Sequence, residues 1–241
     1  PYKGFIQYCY QNGFFPLWTH NMECGFPFNS LPTTGSFYPL VIFFIFFNYV
    51  RGLNLYSFLH ILLLSYSGYL CGRELNFSRL SSWILALSFS LAGFHFTSSG
   101  CLSAYTHLSL LPLVYLFSLR LAWKPTQLNF LGLSLISLVQ FLAGEPEMII
   151  YQTIFILAFL ILVKRTPFKN IFILVLALGL SWLMALIQLL PSANLIFHSF
   201  RRMAAAEIAR SYPEFLFSAS GLLAPLFLPF RGQLIPSPVY L

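Results

Sequence analysis

Two glutamates and a proline stand between two long apolar runs, in the segment Gly144-Glu145-Pro146-Glu147. A carboxylate there could accept a proton from a substrate or hold a polar ligand. Ionisable groups at a membrane boundary are costly, so they mark functional sites by default. The chain has six acidic residues, all glutamates, and no aspartate. We therefore expect at least one of Glu145 and Glu147 to be functional, the alternative being a solvated turn that Pro146 shapes by fixing φ.

The composition is that of a membrane protein. Hydrophobic residues make up 58% of the chain and charged residues 8%, and the mean hydropathy is +0.78. Soluble domains carry roughly 25% charged residues, so this chain has too few charges for a water-soluble surface. The net charge of +7 would suit nucleic acid, but the basic residues are scattered singly or in pairs between apolar runs. That pattern is typical of topology signals and excludes a nucleic-acid partner.

The chain divides into three parts. Residues 1–36 form an aromatic segment punctuated by glycine and proline, which favours a membrane interface. Residues 37–190 are predicted to form an all-α polytopic transmembrane bundle of six to seven helices, since about 20 apolar residues span a bilayer. The seven apolar runs are 37–50, 53–72, 82–99, 104–123, 128–143, 148–163 and 170–190. Residues 191–241 contain a basic stretch and then a proline-broken apolar tract, which indicates a loop with an interfacial or re-entrant piece.

Loop charges orient the predicted bundle. Basic residues follow the second, fourth and sixth runs, whereas the loops around 100–103 and 144–147 have none. The positive-inside rule places the basic loops in the cytoplasm, and the glutamate turn outside. The tail after Pro191 then also lies outside. Its arginines depart from the rule, and they either bind an anionic group or are ordinary loop charges.

The first apolar run is short, so it is expected to dip into the bilayer rather than cross it. Residues 1–36 would then lie outside with the glutamates; if the run crossed fully, they would lie in the cytoplasm. The chain begins with Pro1 rather than methionine and has no signal-peptide pattern. We therefore expect it to be an internal segment of a longer protein.

This topology collects polar side chains at the outer face of the bundle. Carboxylates, imidazoles and guanidinium groups there could bind a phosphate-linked amphiphile, because arginine suits phosphate oxygens and a glutamate can act as a base. The catalytic candidates are Glu145, Glu147 and Glu23. The candidates for substrate binding are His20, Asn21, His95, Tyr105, His107, Gln188, Arg201 and Arg202. For each of these the competing interpretation is structural: a hydrogen-bonded core histidine, or a solvated loop charge.

Several stretches in order resemble the YfhO-type bacterial membrane proteins of the GT-C glycosyltransferase superfamily. The first is GFFPLWTHN at 13–21, continued by GFP at 25–27 and GSFYPL at 35–40. The others are LAGF at 91–94, LPL at 111–113, LAGEPE at 142–147, QLLP at 188–191 and SFR at 199–201. Order and spacing agree along nearly the whole chain, with an acid after the glycine of the LAGEPE stretch.

The resemblance implies a multi-pass enzyme of the bacterial cytoplasmic membrane with a GT-C-like bundle. Such enzymes move a sugar from a polyprenyl-phosphate carrier to an extracytoplasmic acceptor, a cell-envelope glycan or lipid. It also implies a catalytic acid in the first outer loop, shortly before Pro1, which leaves Glu23, Glu145 and Glu147 as substitutes within this chain. GT-C enzymes can use a divalent metal, but no residue spacing here defines a metal site, and no cofactor is predicted.

Two other functions compete with the transferase. A transporter or flippase of lipid-linked sugars would need polar residues through the middle of the membrane, whereas the sequence gathers them at helix ends. A non-catalytic membrane scaffold is the third possibility, because the expected aspartate is missing.

Overall fold

The computed structural model describes residues 2–20, 25–92, 101–163 and 166–198, and within these ranges the chain is helical without a β-strand. Contacts divide the chain into two units, Pro1–Leu195 and Ile196–Leu241, and the helical bundle belongs to the first. The α-helices of the described residues are α1 Tyr2–Gln11, α2 Ile42–Phe46, α3 Tyr49–Glu74, α4 Arg79–Ser90, α5 Leu102–Trp123, α6 Gln127–Ala143, α7 Pro146–Ala158, α8 Phe168–Met184 and α9 Leu186–Phe197. The sequence prediction of an all-α chain is confirmed for these residues.

The lengths of the helices show which of them could cross a membrane. Of the described helices, α3 with 26 residues and α5 with 22 are long and apolar enough, and the pair α8 and α9, bent by 67°, would be a third span. Two apolar helices are shorter: α6, and α7 together with the π-helical turn Phe159–Val163 that continues it. At 1.5 Å per residue, α6 is about 26 Å long. Large apolar side chains cover the outer surface, as Phe168 and Leu128 show with 82% and 78% exposure. Such a surface suits lipid and not water.

Side-chain caps set the starts of three helices. Asn48, Ser78 and Thr126 accept hydrogen bonds from the backbone N–H three residues ahead, at the first turns of α3, α4 and α6. The first apolar run is divided into three elements: a 3₁₀ turn at Pro39–Val41, the short α2, and the start of α3, which Asn48 caps. The run 37–50 therefore does not form one continuous helix, in line with the expectation that it does not cross the bilayer.

Contacts between α3 and α5 show that the two helices are parallel. Near their starts, the Tyr105 hydroxyl donates to the Ser57 carbonyl at 2.8 Å. At their ends, Arg120 Nε and Glu74 Oε2 form an ion pair at 2.7 Å. The helix α6 is antiparallel to α5. The Gly144 turn, which follows α6 and leads into α7, therefore lies at the end of the bundle where α5 starts. The charges of Glu74 and Arg120 lie at the other end, as the alternation of basic loops predicts.

The N-terminal segment packs onto the Gly144 end of the bundle. Lys3 of α1 is buried, and its Nζ donates to the Thr34 carbonyl at 2.8 Å. Gln188 Nε2 of α9 donates to the Asn29 carbonyl at 2.7 Å. The backbone of Gly144 comes so close to residue 32 that an added Cβ would lie 2.2 Å from the Pro32 carbonyl oxygen. The segment therefore shares one end of the bundle with Glu145, while the side of the membrane remains a prediction.

Candidate functional site

Glu145 lies in a two-residue connection whose geometry turns its side chain inwards. Gly144 ends α6 in the left-handed region at φ 111°, and Pro146 begins α7. Glu145 occupies the N-cap position of α7 without a side-chain bond to the helix. Its carboxylate instead accepts from the Ser103 hydroxyl of α5 at 2.5 Å, and from the Cys101 thiol at 3.9 Å. The residue is only 7% exposed, so this is a buried carboxylate that accepts a short hydrogen bond from Ser103 and a long one from Cys101.

The surroundings of Glu145 raise the pKa of its carboxyl group. Burial is the largest cause, and the negative charge of Glu147 adds to it. The hydrogen bonds from Ser103 and Cys101 act in the opposite direction, because they stabilise the ionised form. The net result is a carboxylate that holds a proton more readily than an exposed glutamate does. Such a group is a better proton acceptor near neutral pH than an ordinary surface acid.

Glu147 differs from Glu145 in its exposure. It lies in the first turn of α7 and its side chain is exposed. An acid in this position interacts favourably with the positive end of the helix dipole. Of the two glutamates that the sequence singles out, Glu145 therefore has the surroundings of a reactive group, and Glu147 those of a helix-terminal acid.

His107 lies inside the bundle, further from the Gly144 end than Glu145. The sequence places it at the opening of the fourth run, but α5 begins at Leu102, so His107 is more than one turn into the helix and 1% exposed. Gln140 Nε2 donates to the His107 carbonyl at 3.2 Å and lies 3.4 Å from its Nε2. Gln140 and Gln152 exchange two hydrogen bonds through their amides, of 2.8 and 3.0 Å. His107 therefore belongs to an interior amide cluster with Gln140 and Gln152.

The other described candidates have separate surroundings. Tyr105 is buried and bonds α3 through its hydroxyl, as described above. Gln188 is buried and bonds Asn29, while its Oε1 has no hydrogen-bond partner among the described residues. His20 is exposed, with its ring 6.2 Å from that of Trp18. No hydrogen bond joins Glu145 to any of these three residues. The remaining candidates, Asn21, Glu23, His95, Arg201 and Arg202, lie outside the described residues.

A buried group around His60 has no counterpart in the sequence interpretation. The Tyr38 hydroxyl lies 2.8 Å from His60 Nε2, and His60 Nδ1 lies 2.6 Å from the Tyr56 carbonyl oxygen. The Tyr56 hydroxyl in turn bonds the Thr106 hydroxyl. His60 is fully buried near the middle of α3. The signal that could have found it is the polar pair Tyr56 and His60, four residues apart on one face of an otherwise apolar run.

The described residues do not bring three histidine, cysteine or acidic side chains together as a metal centre would require. No protein-family model, curated protein or solved structure matches this chain.

Proposed function

We propose that this chain is a multi-pass glycosyltransferase of the bacterial cytoplasmic membrane, with a GT-C-like bundle. It would move a sugar from a polyprenyl-phosphate carrier to an extracytoplasmic acceptor, a cell-envelope glycan or lipid. The observation that carries the proposal is the buried carboxylate of Glu145, with its Ser103 hydrogen bond, at the end of the bundle covered by the N-terminal segment. The substrate class rests on the resemblance of the ordered sequence stretches to YfhO-type proteins.

In this mechanism Glu145 is the general base. It accepts the proton of the acceptor hydroxyl while that oxygen attacks the anomeric carbon from the face opposite the carrier. The bond between the anomeric carbon and the phosphate oxygen breaks, the carrier phosphate leaves with the electron pair, and the sugar inverts. Ser103 orients the carboxylate through Oε1 and leaves Oε2 for the acceptor. Arg201 and Arg202 are the proposed cations that stabilise the departing phosphate.

Transfer of a labelled sugar from a polyprenyl-phosphate donor, in membranes that contain the full-length protein, tests this proposal. We expect Glu145→Gln to lower the rate by about 10²–10⁴-fold, the usual contribution of a positioned base. Glu147→Gln is the matched control, since it removes the same charge two residues away at an exposed position, and its rate should stay within a few-fold of wild type. A wild-type protein that yields no glycosylated product, or a Glu145→Gln variant as active as the control, would refute it.

A transporter of lipid-linked sugar is the second candidate, and the interior polar groups favour it. His60 is buried near the middle of α3, and the amide cluster of His107, Gln140 and Gln152 is buried within the bundle. The sequence expectation that polar groups gather at helix ends misses both sets. In proteoliposomes, a flippase would move a labelled donor between leaflets and leave no glycosylated acceptor. A non-catalytic scaffold would show neither movement nor product.

A further inference from the structure

A cavity of about 730 Å³ lies between α4 and α7, against α5. Phe89 of α4, Leu111 and Tyr115 of α5, and Phe155 of α7 are among its walls. None of the described residues that line it is charged. Its volume is within the range of small-molecule sites, which runs from about 300 to 1,000 Å³. The stretch of α5 from His107 to Tyr115 gives it a length of about 12 Å along the helix.

The cavity opens sideways onto the apolar surface of the bundle. Phe77, Tyr151 and Phe155 line it and are 43%, 71% and 64% exposed. These side chains stand on the surface that the helices would present to lipid. An apolar molecule could therefore enter from the bilayer without crossing water, whereas a charged group would find no opposite charge in the lining and would be costly to bury.

His107 and Gln152 line the end of the cavity nearer to Glu145, and Tyr115 lies at the other end. His107 Nε2 faces the Gln140 amide nitrogen, which only donates, so the ring proton is assigned to Nδ1. That Nδ1 has almost no accessible surface, so it does not face the open cavity. One N–H of the Gln152 amide bonds Gln140 Oε1, and its second N–H remains outside that pair. The second N–H of Gln152 is therefore the donor that this end of the cavity offers to an acceptor oxygen.

We propose that this cavity binds a single-chain amphiphile with an uncharged, oxygen-bearing headgroup, such as a long-chain alcohol. The chain lies against Phe89, Leu111 and Phe155, and the headgroup oxygen accepts from the second N–H of Gln152. The site is separate from the Glu145 carboxylate, which precedes Gln152 by seven residues, or about 10 Å along α7. The proposal does not depend on sugar transfer, because it uses neither the carboxylate nor the carrier phosphate.

Photolabelling of the purified full-length protein in nanodiscs tests the site, with a photoreactive long-chain alcohol as the probe. We expect label to concentrate in peptides of α4, α5 and α7, and unlabelled long-chain alcohol to compete for it. A long-chain carboxylate should compete at least 10-fold less well, because the lining has no cation. Label spread evenly over the lipid-facing helices, or equal competition by the carboxylate, would overturn the proposal.

Two variants and their controls separate binding from general contact with lipid. Leu111→Trp fills the cavity and should reduce labelling at least 10-fold, while Leu176→Trp, on the exposed face of α8, should not. Gln152→Leu removes the donor at nearly constant volume and should weaken competition by the alcohol about 2- to 10-fold. Its control, Gln127→Leu, changes an exposed amide at the start of α6. Unchanged labelling in a monodisperse Leu111→Trp protein, or unchanged competition in Gln152→Leu, would contradict the assignment.

Discussion

Gly144→Ala tests whether the turn that presents Glu145 depends on close packing of the N-terminal segment. The new Cβ would lie 2.2 Å from the Pro32 carbonyl oxygen and 2.9 Å from Thr33 Cα, both backbone atoms, at a φ of +111°. A non-glycine residue in the left-handed region costs about 1–2 kcal/mol, and overpacking against backbone about 1–3 kcal/mol. The sum predicts a loss of about 2–5 kcal/mol.

Thermal unfolding of the purified protein in detergent measures this loss. A domain of this size shifts by about 2–4 °C per kcal/mol, so Tm should fall by roughly 4–20 °C. Gly179→Ala is the matched control, because its added Cβ meets no atom within 4 Å and lies in the interior of α8. It should leave Tm unchanged or raise it slightly, since alanine is the better helix former. Equal Tm values for the two variants would refute the packing of residues 32–34 against Gly144.

Three further predictions concern charge. If Glu145 is the base, the rate of sugar transfer should rise with pH through the raised pKa of its carboxyl group. Ser103→Ala should move the midpoint of this pH profile to higher pH, because the hydrogen bond that it removes favours the ionised form. An unchanged midpoint would count against Glu145 as the base. Burial lowers the pKa of the Lys3 ammonium from 10.5 to about 7. Since the unfolded chain then binds a proton that the folded chain lacks, stability should rise between these pH values by up to about 1.4 kcal/mol per unit. Lys3→Met should flatten that rise in denaturation profiles, and a persisting slope would exclude Lys3 as its source. A double-mutant cycle on Glu74 and Arg120 should give a coupling of only about 0–1 kcal/mol, because the pair is partly exposed; a value well above this would show that the pair is desolvated.

The sequence predicts where helices occur because apolar length and punctuation are local properties. It predicts six to seven transmembrane helices, whereas two of the described helices, or three with the bent pair, are long and apolar enough to span a membrane. The predicted apolar run 128–143 coincides with α6, Gln127–Ala143, and the glycine–proline turn separates it from α7 as the sequence indicates. The alternation of basic loops also predicts that Glu74 and Arg120 share one end of the bundle. Each of these inferences needs only neighbouring residues or the sign of a loop.

The faces of the helices could not be predicted in the same way. A helix between lipid on one side and protein on the other is apolar all round, so its 3.6-residue pattern does not mark the interior face. The sequence therefore predicts that His107 lies at the outer face of the bundle, and it does not single out His60. The contact between Gln188 and Asn29 joins residues 159 apart in the chain. No local pattern contains such a contact, so the packing of the N-terminal segment onto α9 had to come from the structure.

The reciprocal amide bonds between Gln140 and Gln152 have a mechanical consequence. A shift of α7 by one residue would rotate Gln152 by about 100° and move it 1.5 Å along the axis, which would break both bonds together. With only Gly144 and Glu145 between the helices, α6 and α7 should behave as one rigid hairpin. If a bulkier ligand bound beside Phe155, the cavity would then have to widen by movement of α4, which forms the opposite wall.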